Sequence, residues 1–190
     1  MKILSLDPAG ESFGIVGINF LKEKKILDIY FKFLLQAPED FNISQKNNYM
    51  AHAVAALISQ IKPDAVISEK PFGIGYSAQS LKELIGAIKA ETWLDIKWQG
   101  VSEARRIVIG DGYGASDKLK TSEWLLEYPW SISAKRFIKS QIETSNVETK
   151  KGFDILDAIL HGVCYFVVNE GLEPKQKPLK KRNKKNQEKL

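Results

Sequence analysis

Between Lys2 and Leu35 three extended, largely apolar runs follow one another on links too short for a crossover, and this most narrows what the chain can become. Residues 2–7 (Lys-Ile-Leu-Ser-Leu-Asp) alternate in polarity and end on a carboxylate. Asp7-Pro8-Ala9-Gly10 then forms a turn, in which Pro fixes φ and Gly permits a reversal. Phe13–Phe20 and Ile26–Leu35 read as two further strands, with the charged stretch Leu21-Lys22-Glu23-Lys24-Lys25 as their hairpin connection. Sequential strands on short links must pair antiparallel, because a parallel pair needs a connection of a dozen residues or more. From there the pattern changes. Residues 45–61 carry Tyr49, Met50, Ala53, Val54, Ala56, Leu57, Ile58 and Ile61 at helical spacing, with Ser44 as the expected cap and Lys62-Pro63-Asp64 as the stop. Ala65–Glu69 is a short apolar strand that also ends on a carboxylate, followed by the glycine-rich loop Pro71–Tyr76.

The remaining chain alternates. A helix is predicted over 77–93 (Leu81, Leu84, Ile85, Ile88 and Trp93 apolar), and a fifth strand over Ile96–Val101. A basic segment, Glu103–Gly110, leads to a second glycine-rich loop, Asp111-Gly112-Tyr113-Gly114. Helices are predicted over 116–127 and 132–143, and a strongly apolar last helix over Phe153–Val168, stopped near Gly171. An antiparallel unit followed by alternating strands and helices makes an α/β protein. Its expected core is a five-stranded mixed sheet, three antiparallel strands and then parallel ones, flanked by helices.

Composition bounds the rest. A chain of 190 residues suffices for one domain, here residues 1–171, with a separate segment over 172–190. Eight of the 28 Lys and Arg residues but only two of the 23 Asp and Glu lie beyond residue 170, leaving 20 basic and 21 acidic residues before it. The basic charge therefore belongs to the tail, which has no apolar residue between Leu179 and Leu190 and is expected to be disordered. It reads equally as a solvated, solubilising tail or as a tether along a phosphate backbone. No apolar run approaches the ~18–20 residues of a membrane span, and the N-terminus reaches Asp7 too early for a signal-peptide core. The single cysteine, Cys164, excludes an intramolecular disulfide and fits a reducing cytoplasm. With only His52 and His161 besides, any metal is expected to be held by carboxylates.

Four carboxylates stand out by position. Asp7 ends the first strand and Glu69 the fourth, while Asp154 and Asp157 lie three apart, on one face, at the start of the apolar last helix. Taken singly, each has a plain reading. Asp7 serves as a turn-initiating residue before Pro8, Glu69 as a strand-end charge paired with Lys70, and Asp154 or Asp157 as a charge complementing the helix dipole. Taken together they are harder to dismiss. If strands one and four are adjacent and parallel, Asp7 and Glu69 emerge side by side, and the last helix adds the other two. Such a cluster repels itself unless divalent cations bind, and all-oxygen ligation favours Mg2+ or Mn2+ over zinc. Two such ions ~3.5–4 Å apart can activate water and stabilise the leaving oxygen in phosphodiester hydrolysis.

At these residues the chain resembles the RuvC-type Holliday-junction resolvases of the RNase H-like superfamily. Ile3-Leu4-Ser5-Leu6-Asp7-Pro8 with Gly14-Ile15-Val16 is similar to the family's opening strand, turn and second strand. Ala65–Phe72 resembles its second motif, a Glu with an aromatic three residues later. Ala104-Arg105 through Gly110, with Ala115-Ser116-Asp117-Lys118, resembles a basic stretch leading to a DNA-binding lysine, and Asp154-Ile155-Leu156-Asp157-Ala158 the closing Asp-x-x-Asp-Ala motif. The likeness spans roughly residues 1–170 in the right order, although the turn's glycine is displaced by one position. It implies an RNase H-like fold and a homodimeric endonuclease of DNA recombination and repair, with two Mg2+ ions per site (Mn2+ substituting) held by Asp7, Glu69, Asp154 and Asp157. It further implies nicking of four-way junctions and, as in divergent bacteriophage members, of other branched DNA. No nucleotide cofactor and no membrane enter, and the place of action is the cytoplasm of a bacterial or phage-infected cell. By the same likeness Phe72 stacks on an unpaired base, Lys70, Arg105, Arg106, Lys118 and Lys120 contact DNA, and helix 77–93, with Gly86, Ala87 and Ala90, supplies the dimer interface. His161, seven residues after Asp154 on the same face, reads either as a histidine in the core or behind the ligands, or as one that approaches the metals.

Three competitors remain. Actin-like ATPases and sugar kinases share such a core and opening strand, but need a second Asp-Gly phosphate hairpin and a duplicated domain in a chain about twice as long. A non-catalytic DNA-binding relative would not need all four carboxylates. A ribonuclease H acting on RNA–DNA hybrids, or a flap nuclease, is the nearest alternative, and the Glu69…Phe72 spacing and the dimer helix favour the resolvase over it.

Overall fold

The structure is a computed structural model, and it describes residues 1–8, 12–71, 76–110, 118–146 and 152–174. Strands β1 (Lys2–Pro8), β2 (Ser12–Leu21) and β3 (Ile26–Gln36) form the expected antiparallel meander. After helix α1 (Ile43–Ile61) comes β4 (Ala65–Glu69), then α2 (Tyr76–Thr92), β5 (Ile96–Gln99), α3 (Val101–Ile109), α4 (Lys118–Leu125), α5 (Ile132–Thr144) and α6 (Asp154–Asn169). The sheet order is β3-β2-β1-β4-β5, with β4 parallel to β1 and β5 parallel to β4.

Each strand serves two cores because successive side chains point to opposite faces. On one face Leu4, Leu6, Val66 and Ile96 meet α1 and α2 through Met50, Val54, Ile58, Leu84, Ile85 and Ile88. On the other, Ile3, Val16, Ile18 and Ile67 pack under α6 and the smaller helices α3, α4 and α5. The same alternation carries Ser5 and Asp7 to the α6 face with Ile3, and Glu69 with Ile67. Helix α6 lies close because Gly162 has no side chain: a Cβ there would stand 2.5 Å from Ile18 Cδ1. Among the described residues no helix is long and apolar enough to cross a membrane.

The structure departs from the expectation at several element ends. Asn42, not Ser44, caps α1: its side chain accepts from Gln45 N at 3.0 Å while Gln45 Oε1 accepts from Asn42 N at 2.9 Å, a reciprocal box that Ser44 cannot make. The β2–β3 link contains a 3-10 turn over Lys22–Lys24, closed by Lys25 in the left-handed region. Strand β5 ends at Gln99, and the basic segment after it is a helix, α3, entered through Gly100. Trp93 is not in the packed face of α2. It follows the helix at φ 56° and is 93% exposed. The buried side of α2 (Leu84, Ile85, Ile88) covers the sheet, and Gly86 and Ala90 face outward. The second glycine-rich loop and Phe72 lie outside the described residues, as does the chain beyond residue 174.

Candidate metal centre

Two parallel strands and one helix end converge on a single spot. The β1–β4 register pairs Leu6 with Ser68, so Asp7 and Glu69 leave the sheet as neighbours. Asp7 is 5% exposed and shares a hydrogen bond with Glu69. Burial raises its carboxyl well above the ordinary carboxylate range, and that hydrogen bond together with the charges of Asp157, Glu69 and Asp154 pushes in the same direction. Of the four carboxylates singled out in the sequence, Asp7 and Glu69 thus stand side by side, and the charges of Asp154 and Asp157 reach Asp7 from the helix.

Helix α6 reaches this spot through a glycine. Gly14 of β2 pairs with Asp7 across the β1–β2 ladder, and a Cβ on it would lie 2.3 Å from the Asp154 carbonyl oxygen. The first turn of α6 consequently rests on the backbone of β2. Asp154 accepts a short hydrogen bond from Ser12 Oγ, at the start of the same strand. Asp157, 7% exposed, accepts from Lys118 Nζ at 2.5 Å and lies 3.6 Å from the Arg105 guanidinium. Burial pulls the Lys118 ammonium down, but the Asp157 carboxylate outweighs it, so the net shift is upward.

One more side chain enters the cluster. His161, one turn beyond Asp157, is fully buried with Nε2 4.0 Å from Glu69 Oε2. One ligand atom each from Asp7, Glu69 and His161 lie within 4.8 Å of one another. Burial lowers the imidazole to about 4, against the attraction of Asp157, so it is neutral at pH 7.

The basic residues expected to contact DNA divide. Lys70, Arg106 and Lys120 are exposed. Arg105 differs from a surface phosphate contact: it is 5% exposed and held against Asp157 from α3, and Lys118 likewise turns inward to the same carboxylate. Ser12 and Gly14 had no signal as site residues; Gly14 becomes legible only once the register places it opposite Asp7. Chemically, the adjacent Asp7 and Glu69 carboxyl groups with a neutral imidazole beside them could hold a divalent cation, and their oxygens suit Mg2+ or Mn2+.

Comparison with solved structures places this architecture. The chain superposes on Thermus thermophilus RuvC in complex with a Holliday junction substrate at TM-score 0.63, with 10% identity over 90% of this chain and 98% of that one. The fold is that of the RuvC-type resolvases. The fowlpox virus Holliday junction resolvase shares this RuvC-type, RNase H-like fold at TM-score 0.56 (13% identity, 88% of this chain and 99% of that one). The yeast mitochondrial Holliday junction resolvase does so at 0.55 (12% identity, 86% and 78%). No family model and no curated protein matches the sequence. The likeness thus lives in the backbone, at identities that show the RuvC-type fold alone.

Proposed function

We propose that the protein is a divalent-metal-dependent endonuclease that resolves four-way DNA junctions, and cuts other branched DNA, by paired phosphodiester hydrolysis in a homodimer. The observation that carries this is that Asp7 and Glu69 lie side by side at the open end of β1 and β4 on a RuvC-type fold, with Asp154 and Asp157 near enough for their charges to raise the Asp7 carboxyl. These four would hold two Mg2+ or Mn2+ ions, which when bound supply the activated water and the neutralisation of phosphate charge.

The chain's own residues do the rest. Ser12 fixes the Asp154 carboxylate by its hydrogen bond, and Gly14 sets the height of α6 above Asp7. Lys118 and Arg105 hold Asp157 in place and offset the crowding of negative charge. Lys118, half-buried and paired with Asp157, would release that carboxylate and turn to a phosphate when DNA and cations bind. Lys70, Arg106 and Lys120 present charge to the backbone of the substrate, and the basic segment 172–190 extends the same track beyond the domain over 1–171. Phe72 stacks on a base at the junction centre. The outward-facing Gly86 and Ala90 of α2 allow close approach of a second copy, which brings two sites to two strands.

The test is direct. Purified protein is incubated with a four-way junction, a flap, a Y-structure, a linear duplex and an RNA–DNA hybrid, with and without Mg2+. Symmetrical nicking of the junction that requires Mg2+ supports the proposal; preference for the hybrid would assign a ribonuclease H activity instead.

A further inference from the structure

The three clustered donors, buried Asp7 and His161 and half-buried Glu69, are not equivalent to the four carboxylates of the expected site. Asp154 is engaged by Ser12, and Asp157 by Lys118 and Arg105. Asp7 and Glu69 are hydrogen-bonded to each other, and beneath them stands an imidazole with no exposed surface. Neither His161 Nδ1 nor Nε2 finds a hydrogen-bond partner among the described residues. A core histidine normally satisfies at least one ring nitrogen, because leaving a buried polar atom unpaired costs about 1–3 kcal/mol. Helix α6 could carry Leu or Ile here at lower cost, as it does at Ile155, Leu156, Ile159 and Leu160. The turn that bears His161 is instead pressed onto the sheet through Gly162, whose Cβ position lies 3.4 Å from Ser5 Cβ. That close approach seats the imidazole over the β1–β4 seam, where Nε2 faces the two carboxylates.

We propose that His161 Nε2 is a direct ligand of the cation held by Asp7 and Glu69, so that this position has a mixed oxygen–nitrogen shell and selects Mn2+ or Co2+ over Mg2+. The spacing supports it. Ligand atoms on opposite sides of one ion stand ~4.2 Å apart when each bond is ~2.1 Å, and the observed 4.8 Å limit closes to that by small side-chain rotations. The neutral imidazole is the form that ligates. Imidazole nitrogen raises affinity along the series from Mn2+ to Co2+ and does little for Mg2+, which prefers oxygen and gives up its waters reluctantly. This inference rests on the metal-dependent reading above and adds to it a nitrogen ligand outside the carboxylate motif.

The experiment reads metal binding, not cleavage. In the 190-residue protein labelled with 15N-histidine, exposed His52 and buried His161 should give separate imidazole signals, and Zn2+ serves as a diamagnetic probe. Saturating Zn2+ should move the His161 Nε2 resonance to the metal-bound position and leave Nδ1 protonated, and Asp7→Asn should abolish the change. In parallel, calorimetric titration of His161→Gln should show Co2+ affinity lowered by about tenfold or more, the range lost even when an outer partner of a ligand is removed, with Mg2+ affinity changed less than about threefold. If Zn2+ saturates the wild-type protein and His161 Nε2 does not move, the proposal is overturned, and the NMR arm decides this even where the glutamine variant fails to fold. Equal losses for Co2+ and Mg2+ also overturn it, as they would mark a purely packing residue. Failure of the wild-type protein to bind any of these cations overturns the metal-dependent function together with this ligand. Cation binding with a silent His161 overturns the ligand alone.

Discussion

Gly14→Ala tests how the site is assembled without touching a charged group. The added Cβ would stand 2.3 Å from the Asp154 carbonyl oxygen, 2.5 Å from its carbonyl carbon and 3.0 Å from Ile155 N, all backbone atoms that no rotamer change can clear. Ordinary contact begins near 3.4 Å, so the first turn of α6 must retreat from β2 by roughly 1 Å. Overpacking of this kind costs ~1–3 kcal/mol, which for a chain of this size is a fall in Tm of roughly 2–12 °C. The functional cost should be larger, because α6 carries Asp154 and Asp157, and a ~1 Å misplacement at a reacting centre can cost about 100-fold in rate. Thermal denaturation and single-turnover nicking of a four-way junction in Mg2+ measure the two effects. A Gly14→Ala protein with wild-type Tm and wild-type nicking would refute the argument that Gly14 sets the height of α6.

Other consequences follow from the same geometry. Asp7→Asn should abolish nicking and leave junction binding intact or stronger, as judged by gel shift, because it removes a ligand and a charge near phosphate; retained nicking in Mg2+ would end the metal-site reading. Metal-free stability should respond to pH from two sides. His161 is lowered from 6.5 to about 4, so the neutral form is the folded one, and stability falls by up to about 3 kcal/mol as pH drops from 6.5 toward 4. Asp7 is raised above 3.8, so its contribution is complete below that pH and is lost as pH rises through its folded value. Denaturant melts of the wild-type protein, His161→Gln and Asp7→Asn should each lose the corresponding limb. Deleting 175–190 should leave Tm unchanged and lower the slope of log K against log[salt] by ~0.9 for each phosphate that the tail neutralises; an unchanged slope would make the tail a solubilising segment only. Phe72→Ala should slow cutting of a fully paired junction more than of one with unpaired central bases, and equal slowing of both would remove the stacking role.

The meander was readable because its links are short, and the parallel placement of β4 and β5 because helices intervene before each. Element ends were less so, for a local reason in each case. Asn42 and Ser44 are both acceptable caps on type alone, and Gln45, three residues after Asn42, decides between them. Helix α3 was hidden by a one-residue junction: Gly100 alone separates β5 from α3, and the basic, polar look of Glu103-Ala104-Arg105-Arg106 masks an apolar side formed by Ala104, Val108 and Ile109. Trp93 looked like the next apolar position of α2, but the chain turns left-handed there and carries it into solvent.

The side-by-side placement of Asp7 and Glu69, with Asp154 and Asp157 brought near by α6, was legible because each stands at the end of an element whose direction follows from its neighbours. The side chains that engage the helix pair were not, because Ser12, Arg105 and Lys118 come from elements whose positions only the tertiary fold sets. That difference has a physical consequence. Asp154 and Asp157 occupy the first turn of α6, where unpaired backbone N–H groups favour anions, and Lys118 and Arg105 add fixed positive charge. The helix side of the cluster is thus balanced by the chain itself. The strand side is not: Asp7 and Glu69 have a shared hydrogen bond, and burial drives Asp7 toward its protonated form. If Asp7 and Glu69 hold a divalent cation as proposed, its binding would release the proton that burial favours on Asp7. Cation affinity should accordingly rise with pH through the Asp7 titration, whereas a cation that used Asp157 would have to take it from Lys118.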